Sequence, residues 1–418
     1  MAKLVINGGK VLKGEVDVQK SKNAVLPILA ASILTEQKIK LNDCPDILDV
    51  DNMVKILISL GCNVERVNKD IIIDSSPICS DEIPSKLAKE LRSSIFLLGP
   101  ILARLKKAKV AYPGGCDIGI RPIDIHIKGL KALNVNVKEE YGYIICDASN
   151  MKGADMLLDF PSVGATENIM MAATGAKGKT VIRNAAKEPE IVDLQNFLIS
   201  CGVNISGAGT GTIIINGCES IHGTEYTPIP DRIVAGTYIL AALMTRGNLT
   251  LNNVIPEHIT SLIAKLTESS CKVQVFNDKI TITNNKRRIK SFDIIETMPY
   301  PGFPTDLQAP LSALCCVASG TSIILENMFE TRFKHVSELV KMGAKIIVRD
   351  KAAYITGVRR LHGADVKAYD LRGGAALILA GLNADGVTTI DDIYHIERGY
   401  QRIENVISSL GGEIYRLR

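Results

Sequence analysis

The sequence predicts an α/β protein built from six similar units, and three observations carry that prediction. Six helix-like segments rich in Ala, Leu and Ile begin near Lys22, Arg92, Gly164, Arg232, Asp306 and Arg372, at steps of 70, 72, 68, 74 and 66 residues. A steady period of that size marks a repeated supersecondary unit. A second, amphipathic helix in each unit ends at a turn, at Leu60-Gly61, Leu133-Asn134, Cys201-Gly202, Ser269-Ser270, Met342-Gly343 and Leu410-Gly411, with nearly the same period. Short strands with alternating apolar residues follow that turn, as in Ile71-Ile72-Ile73-Asp74, Tyr143-Ile144-Ile145-Cys146, Ile213-Ile214-Ile215 and Ile280-Thr281-Ile282-Thr283. The unit therefore reads helix, strand, helix, strand, strand, with a period of about 70 residues.

Six such units could close as one ring or as two globules of three, and two globules suit the usual domain size. Phase places the boundary. The last unit stops after the strand Glu413-Ile414-Tyr415 without a final strand of its own, and the N-terminal strands Leu4-Val5-Ile6 and Glu15-Val16-Asp17-Val18 supply the missing piece. The expected N-terminal domain is 21–229, and the C-terminal domain joins 1–20 to 230–418. The chain then crosses twice, near Lys20-Ser21 and Ile229-Pro230-Asp231, which makes a two-strand hinge beside a cleft.

Composition excludes several function classes. With 418 residues, 46% hydrophobic and 22% charged, the chain has ample core for a soluble protein. A net charge of +4, with basic residues scattered, gives no field suited to nucleic acid, so any anion site must be local. The ten cysteines show neither a CxxC pair nor metal-type Cys/His spacing, which points to a reducing cytoplasm and to no metal. Met1 to Lys10 lacks an apolar core followed by a small-residue cleavage site, and no run reaches the roughly 18 apolar residues of a membrane span. The expectation is a protein neither exported nor inserted in a membrane.

In a repeat protein, polar departures from the repeat are the candidates for function. The first helices of four units start with Lys22, Arg92, Arg232 and Arg372, and second helices start near Arg121, Arg332 and Arg398. The helix dipole disfavours cations there, so their accumulation makes sense if an anion also binds. The anion is not a nucleotide in a familiar loop. Gly175-Ala176-Lys177-Gly178-Lys179-Thr180 lacks the first glycine of GxxxxGK[ST], and Gly207-Ala208-Gly209-Thr210-Gly211 is not GxGxxG; both read as turns. Pro304-Thr305-Asp306 opens a helix with a carboxylate where other units have a cation. Either it caps the helix or Asp306 is a general base. Ser162-Val163-Gly164-Ala165-Thr166 likewise offers a cap or a ligand-binding helix start.

One stretch stands apart. Tyr112 to His126 places Gly114, Gly115 and Gly119 around Cys116 and then starts a helix at Arg121-Pro122. Glycines on both sides of a thiol let a loop swing and close over a ligand, although an ordinary turn with a small apolar cysteine is the plainer alternative.

These residues carry a resemblance. Lys22-Asn23, Pro113-Gly114-Gly115-Cys116, Arg121-Pro122-Ile123-Asp124-Ile125-His126, Ser162-Val163-Gly164-Ala165-Thr166, Pro304-Thr305-Asp306, Glu330-Thr331-Arg332-Phe333 and Asp370-Leu371-Arg372, in that order along the whole chain, resemble the UDP-N-acetylglucosamine 1-carboxyvinyltransferase family of enolpyruvyl transferases. The resemblance implies two inverted α/β-barrel-like domains of three repeats each. It implies two small-molecule partners, phosphoenolpyruvate and UDP-N-acetylglucosamine, no cofactor, and one chain working alone in the cytoplasm. It gives Cys116, Asp306, Lys22 and Arg398 catalytic roles, and assigns phosphoenolpyruvate to Lys22, Asn23, Arg121, Arg332, Arg372 and Arg398. The sugar nucleotide falls to Asn23, Arg92, Arg121, Pro122, Ile123, Asp124, Ile125, Ser162, Val163, Asp306 and Met328. The shikimate-pathway enolpyruvyl transferase is the rival within the fold, and the Cys116 loop argues against it. A DNA-encircling clamp is the alternative from another class, and the near-neutral charge argues against that.

Overall fold

The computed structural model describes residues 2–112, 123–284 and 288–417. The Cys116 loop, with the expected helix start at Arg121-Pro122, lies outside the described residues. The rest forms two compact units, one of residues 20–112 and 123–229, the other of 2–19, 230–284 and 288–417.

Each unit holds three four-stranded sheets, and all six sheets have one plan. A short edge strand runs parallel to a central strand, which is followed by two antiparallel strands. In the N-terminal unit Ile39–Leu41 pairs in parallel with Glu225–Tyr226 and antiparallel with Asp70–Asp74, which in turn pairs with Asn63–Val67. In the C-terminal unit Lys13–Asp17 lies parallel to Asn248–Asn252, and Lys3–Asn7 runs antiparallel between Val387–Asp391 and Glu413–Leu417.

The six turns that mark the period share one backbone conformation. Gly61, Asn134, Gly202, Ser270, Gly343 and Gly411 all have positive φ, between 63° and 104°. They sit just past the second helix of each unit, where a left-handed residue turns the chain back and satisfies the last helical carbonyls. The period is legible in sequence because that position favours Gly or Asn.

The first helices are apolar all round because they are buried all round. Arg232–Met244 is buried from Ile233 to its end, and Gln308–Cys315 is buried throughout. Both pack with Leu371–Asn383 at the centre of the C-terminal unit. Leu98–Leu105 and Val163–Thr174 pack together in the N-terminal unit. Gly99 permits that approach, since a Cβ there would lie 2.2 Å from the Asn168 carbonyl oxygen.

Several helix starts differ from the sequence reading. Arg92 begins a 3-10 turn, Arg92–Leu97, ahead of the α-helix. Thr305–Leu307 is likewise 3-10, and the α-helix proper starts at Gln308. Arg332 lies in a turn, and the helix Val336–Lys341 begins only after His335, which makes no side-chain capping bond. Arg398 starts no helix. It is the C-cap of the single turn Tyr394–Glu397, and Arg402, at φ 40°, separates that turn from the helix Ile403–Ser409.

Candidate active site

The predicted residues fall into two groups, one in each unit. In the C-terminal unit the centre is Asp306. Its Oδ1 accepts from Arg332 Nη2 at 2.7 Å and its Oδ2 from Arg372 Nη2 at 2.8 Å. Both arginines are only 3% exposed, so this carboxylate is held by buried charge from two different repeats. Thr305 and Asp306 do not cap the helix: the helical N-caps are Pro304 and Leu307, neither with a side-chain bond, and the Thr305 hydroxyl donates to Glu326.

Asp370, quoted in the sequence motif Asp370-Leu371-Arg372 but given no role there, supports the pair. It caps Leu371–Asn383 by accepting from the amides of Arg372 and Gly373, at 2.9 and 3.0 Å, and sits 4.0 Å from Arg332 Nη1. Gly373 allows it, because a Cβ there would come within 2.8 Å of Asp370 Oδ2. Burial opposes a charge on Arg372, but Asp306, Tyr400 and Asp231 outweigh it, and the guanidinium pKa rises. His335, fully buried, is held well below the ordinary histidine range, first by burial and then by Arg332, against Asp370. Arg398 is also buried and lowers the pKa of His395 after burial does. Arg332 and Arg372 thus share Asp306 between them, with Asp370 beside Arg332 and Asp231 acting on Arg372. Two guanidiniums directed at one partly exposed carboxylate are donors of the kind that hold an anionic group. Met328 is half-buried, with its amide donating to Glu326.

In the N-terminal unit Lys22, the first residue of the helix Lys22–Ala31, donates to Asp49 Oδ2 at 3.1 Å. Asp49 is buried, so the repeat's own carboxylate, missed in sequence, meets this helix-start cation. Asn23 is half-buried beside it. Arg92 is partly buried, which lowers its pKa, and its charge reinforces the burial that drives His126 down to about 3. Neutral His126 is fixed by Asn168, whose Nδ2 lies 3.1 Å from His126 Nδ1 while its Oδ1 accepts from the Gly99 amide at 2.6 Å. Neither partner was predicted.

Ile123 is buried, Asp124 is the exposed first residue of the helix Asp124–Ala132, and Ile125 is half-buried. His126 connects this helix to the start of Val163–Thr174: a Cβ on Gly164 would stand 3.3 Å from its Cε1. Ser162 caps that second helix, accepting from the Ala165 amide at 3.3 Å, and Val163 is half-buried beside it. Arg92, Ile123 to Ile125, Ser162 and Val163 therefore share one neighbourhood. Cys116, Arg121 and Pro122 are outside the described residues. Among the described residues no group of His, Cys, Asp and Glu is arranged to hold a metal ion.

Solved structures share the fold. The enolpyruvyl transferase NikO from Streptomyces tendae superposes with a TM-score of 0.90 at 24% identity, covering 99% of this chain and 98% of its own. EPSP synthase from Acinetobacter baumannii superposes at 0.75 and 18% identity over the whole of both chains. The family model for EPSP synthase (3-phosphoshikimate 1-carboxyvinyltransferase) matches residues 6–407, and the chain belongs to that family. Among its relatives, UDP-N-acetylglucosamine 1-carboxyvinyltransferase 2 of Caldanaerobacter subterraneus subsp. tengcongensis is 54% identical over 417 residues, covering 100% of each chain. The protein of the same name from Clostridium tetani is 49% identical over 419 residues, again covering 100% of each.

Proposed function

We propose that this enzyme transfers the enolpyruvyl group of phosphoenolpyruvate to the 3-hydroxyl of UDP-N-acetylglucosamine and releases phosphate, the first committed step of peptidoglycan precursor synthesis. The observation that carries the reading is Asp306, a carboxylate held by Arg332 and Arg372 at a position where it neither caps a helix nor fills a core. In the addition step the sugar hydroxyl oxygen bonds to C2 of phosphoenolpyruvate, its proton goes to Asp306, and Cys116 protonates the methylene carbon. In elimination the new methyl group returns a proton, the C–O bond to phosphate breaks, and phosphate leaves.

Lys22, Arg121 and Arg398 hold the phosphate region, with Asn23 beside them. Arg332 and Arg372 hold the carboxylate and the charge that develops on the intermediate. The sugar nucleotide lies on Asn23, Arg92, Arg121 to Ile125, Ser162, Val163, Asp306 and Met328. The enzyme acts as a single chain in the cytoplasm, without cofactor, in cell-wall synthesis and hence cell shape and division. Fosfomycin is its inhibitor through Cys116. Full-length relatives near half identity support the sugar nucleotide as acceptor over shikimate 3-phosphate, which the family model's name raises.

The test is phosphate release from phosphoenolpyruvate with each acceptor in turn. Release with UDP-N-acetylglucosamine and none with shikimate 3-phosphate is expected, and the opposite pattern overturns the assignment.

A further inference from the structure

Glu326 is a buried carboxylate just after the central strand Thr321–Leu325, and four donors converge on it. Its Oε2 accepts from the Thr305 hydroxyl at 2.9 Å. Its Oε1 accepts from the Thr297 hydroxyl at 2.9 Å and from the amides of Met328 and Phe329 at 2.8 and 3.2 Å. The backbone here is itself fixed, since the Glu326 amide donates to Lys351 O at 2.8 Å and the Thr297 amide to Leu325 O at 2.9 Å. A rigid sheet end thus carries one anion that satisfies three separate segments.

The repeat supplies an independent argument. The residues that follow the other five central strands are Asn42, Tyr112, Asn184, Asn253 and Asp392, none of them buried. Asn184, Asn253 and Asp392 take positive φ there, as short polar turn residues do. Only this unit replaces that turn with a buried glutamate, and its first-helix carboxylate, Asp306, pairs with two arginines where Asp231 and Asp370 at the starts of Arg232–Met244 and Leu371–Asn383 cap their helices. Two departures from one repeat, joined by a single hydrogen bond through Thr305, point to one purpose.

We infer that Glu326 is a positioning residue: it sets Asp306, through Thr305, against Arg332, and it holds the backbone from Met328 to Phe329. Arg332 is coupled to both arms. Its Nη2 reaches the Thr305 carbonyl at 3.3 Å, and its guanidinium lies 5.8 Å from the centre of the Phe329 ring. Removing the carboxylate frees the carboxyl group, the arginine and the Met328 backbone together. This inference rests on the reading of Asp306 as the base that accepts the sugar hydroxyl proton.

Three variants test it by phosphate release and UDP-N-acetylglucosamine binding. Thr305→Val removes one hydroxyl of near-equal shape, and kcat should fall about tenfold, the scale of one bond to a charged acceptor, with KM for the sugar nucleotide unchanged within about twofold. Glu326→Ala should lower kcat about 100-fold and also raise that KM, because the Met328 arm is lost as well. Glu326→Gln should stay within about threefold, since its amide oxygen still accepts and the Thr305 hydroxyl can reverse to accept from the NH2. A purely structural role predicts lowered melting temperatures with kcat per folded molecule intact. Wild-type kcat in Thr305→Val overturns the inference even if Glu326→Ala does not fold. A wild-type enzyme inactive with this acceptor overturns the site reading instead, and the inference falls with it.

Discussion

In the C-terminal unit the helix starts at 306 and 372 meet directly, carboxylate to guanidinium, whereas in the N-terminal unit the starts at 22 and 92 turn to different partners, Lys22 to Asp49 and Arg92 toward neutral His126. Both groups grow from one repeat position. The first becomes an ion network around a group that can take a proton. The second keeps its titratable member uncharged and offers cations and helix-start amides. Duplication supplies the frame, and a few charge-changing residues give the two units different electrostatics at the same repeat position.

The largest expected effect breaks the first group. Asp306→Asn keeps the shape but removes the charge and the proton acceptor, so turnover should fall on the order of 100-fold or more while the sugar nucleotide still binds. Phosphate release and calorimetric binding separate the two quantities. Near-normal turnover would return Asp306 to a structural role. Some loss of stability accompanies the change, because Arg332 and Arg372 are buried and lose their shared counter-charge.

The next effect concerns the thiol outside the described residues. An epoxide phosphonate such as fosfomycin should label Cys116 first, and labelling should abolish activity. The structure sharpens the control. Burial pushes the thiols of Cys44, Cys146, Cys201 and Cys315 up to about 12 and those of Cys62 and Cys271 up to about 11, which leaves little reactive thiolate. Cys79 is the exposed thiol among the described residues and the competitor to watch. Mass found on the peptide carrying Cys79, with Cys116 unmodified, defeats the assignment. Cys116→Asp should keep partial activity and escape labelling, since a carboxylic acid can also deliver a proton.

What the sequence showed and what it hid have separate physical causes. The α/β class and the six-fold period were legible because the left-handed turns at Gly61, Asn134, Gly202, Ser270, Gly343 and Gly411 restrict residue type, and because buried first helices are apolar on every face. Asp49, Asn168 and Glu326 were not legible, and Asp370 and His126 were seen only as motif residues, without their partners. Their partners lie 27, 38, 42 and 21 residues away, in Lys22, Arg332, Asn168 and Thr305, and no spacing rule joins side chains at such separations. Arg398 was misplaced because a single helical turn, Tyr394–Glu397, carries too little periodicity to show where it ends.

The smallest effect sharpens the second group, through pH. His126 is held near 3 when folded, mainly by burial, and returns to about 6.5 when unfolded. Between these values the unfolded chain binds a proton that the folded chain refuses, so stability rises with pH across the window and is lost as pH falls from about 6.5 toward 3. The slope due to this residue approaches about 1.4 kcal/mol per pH unit, or about 2 kcal/mol between pH 7 and 5. Asp193, pushed up to about 6 by burial, and Glu167, also raised by burial, work in the opposite direction within the same unit. The raw pH profile therefore mixes signs. Comparing wild type with His126→Gln isolates the term, because Gln offers an oxygen to Asn168 Nδ2 but has no proton to gain. Urea denaturation at pH 7 and pH 5 should show the wild type losing about 2 kcal/mol more than the variant. Equal losses would mean that His126 is charged in the folded protein, and the contrast between the neutral imidazole of the N-terminal unit and the ion network of the C-terminal unit would fail.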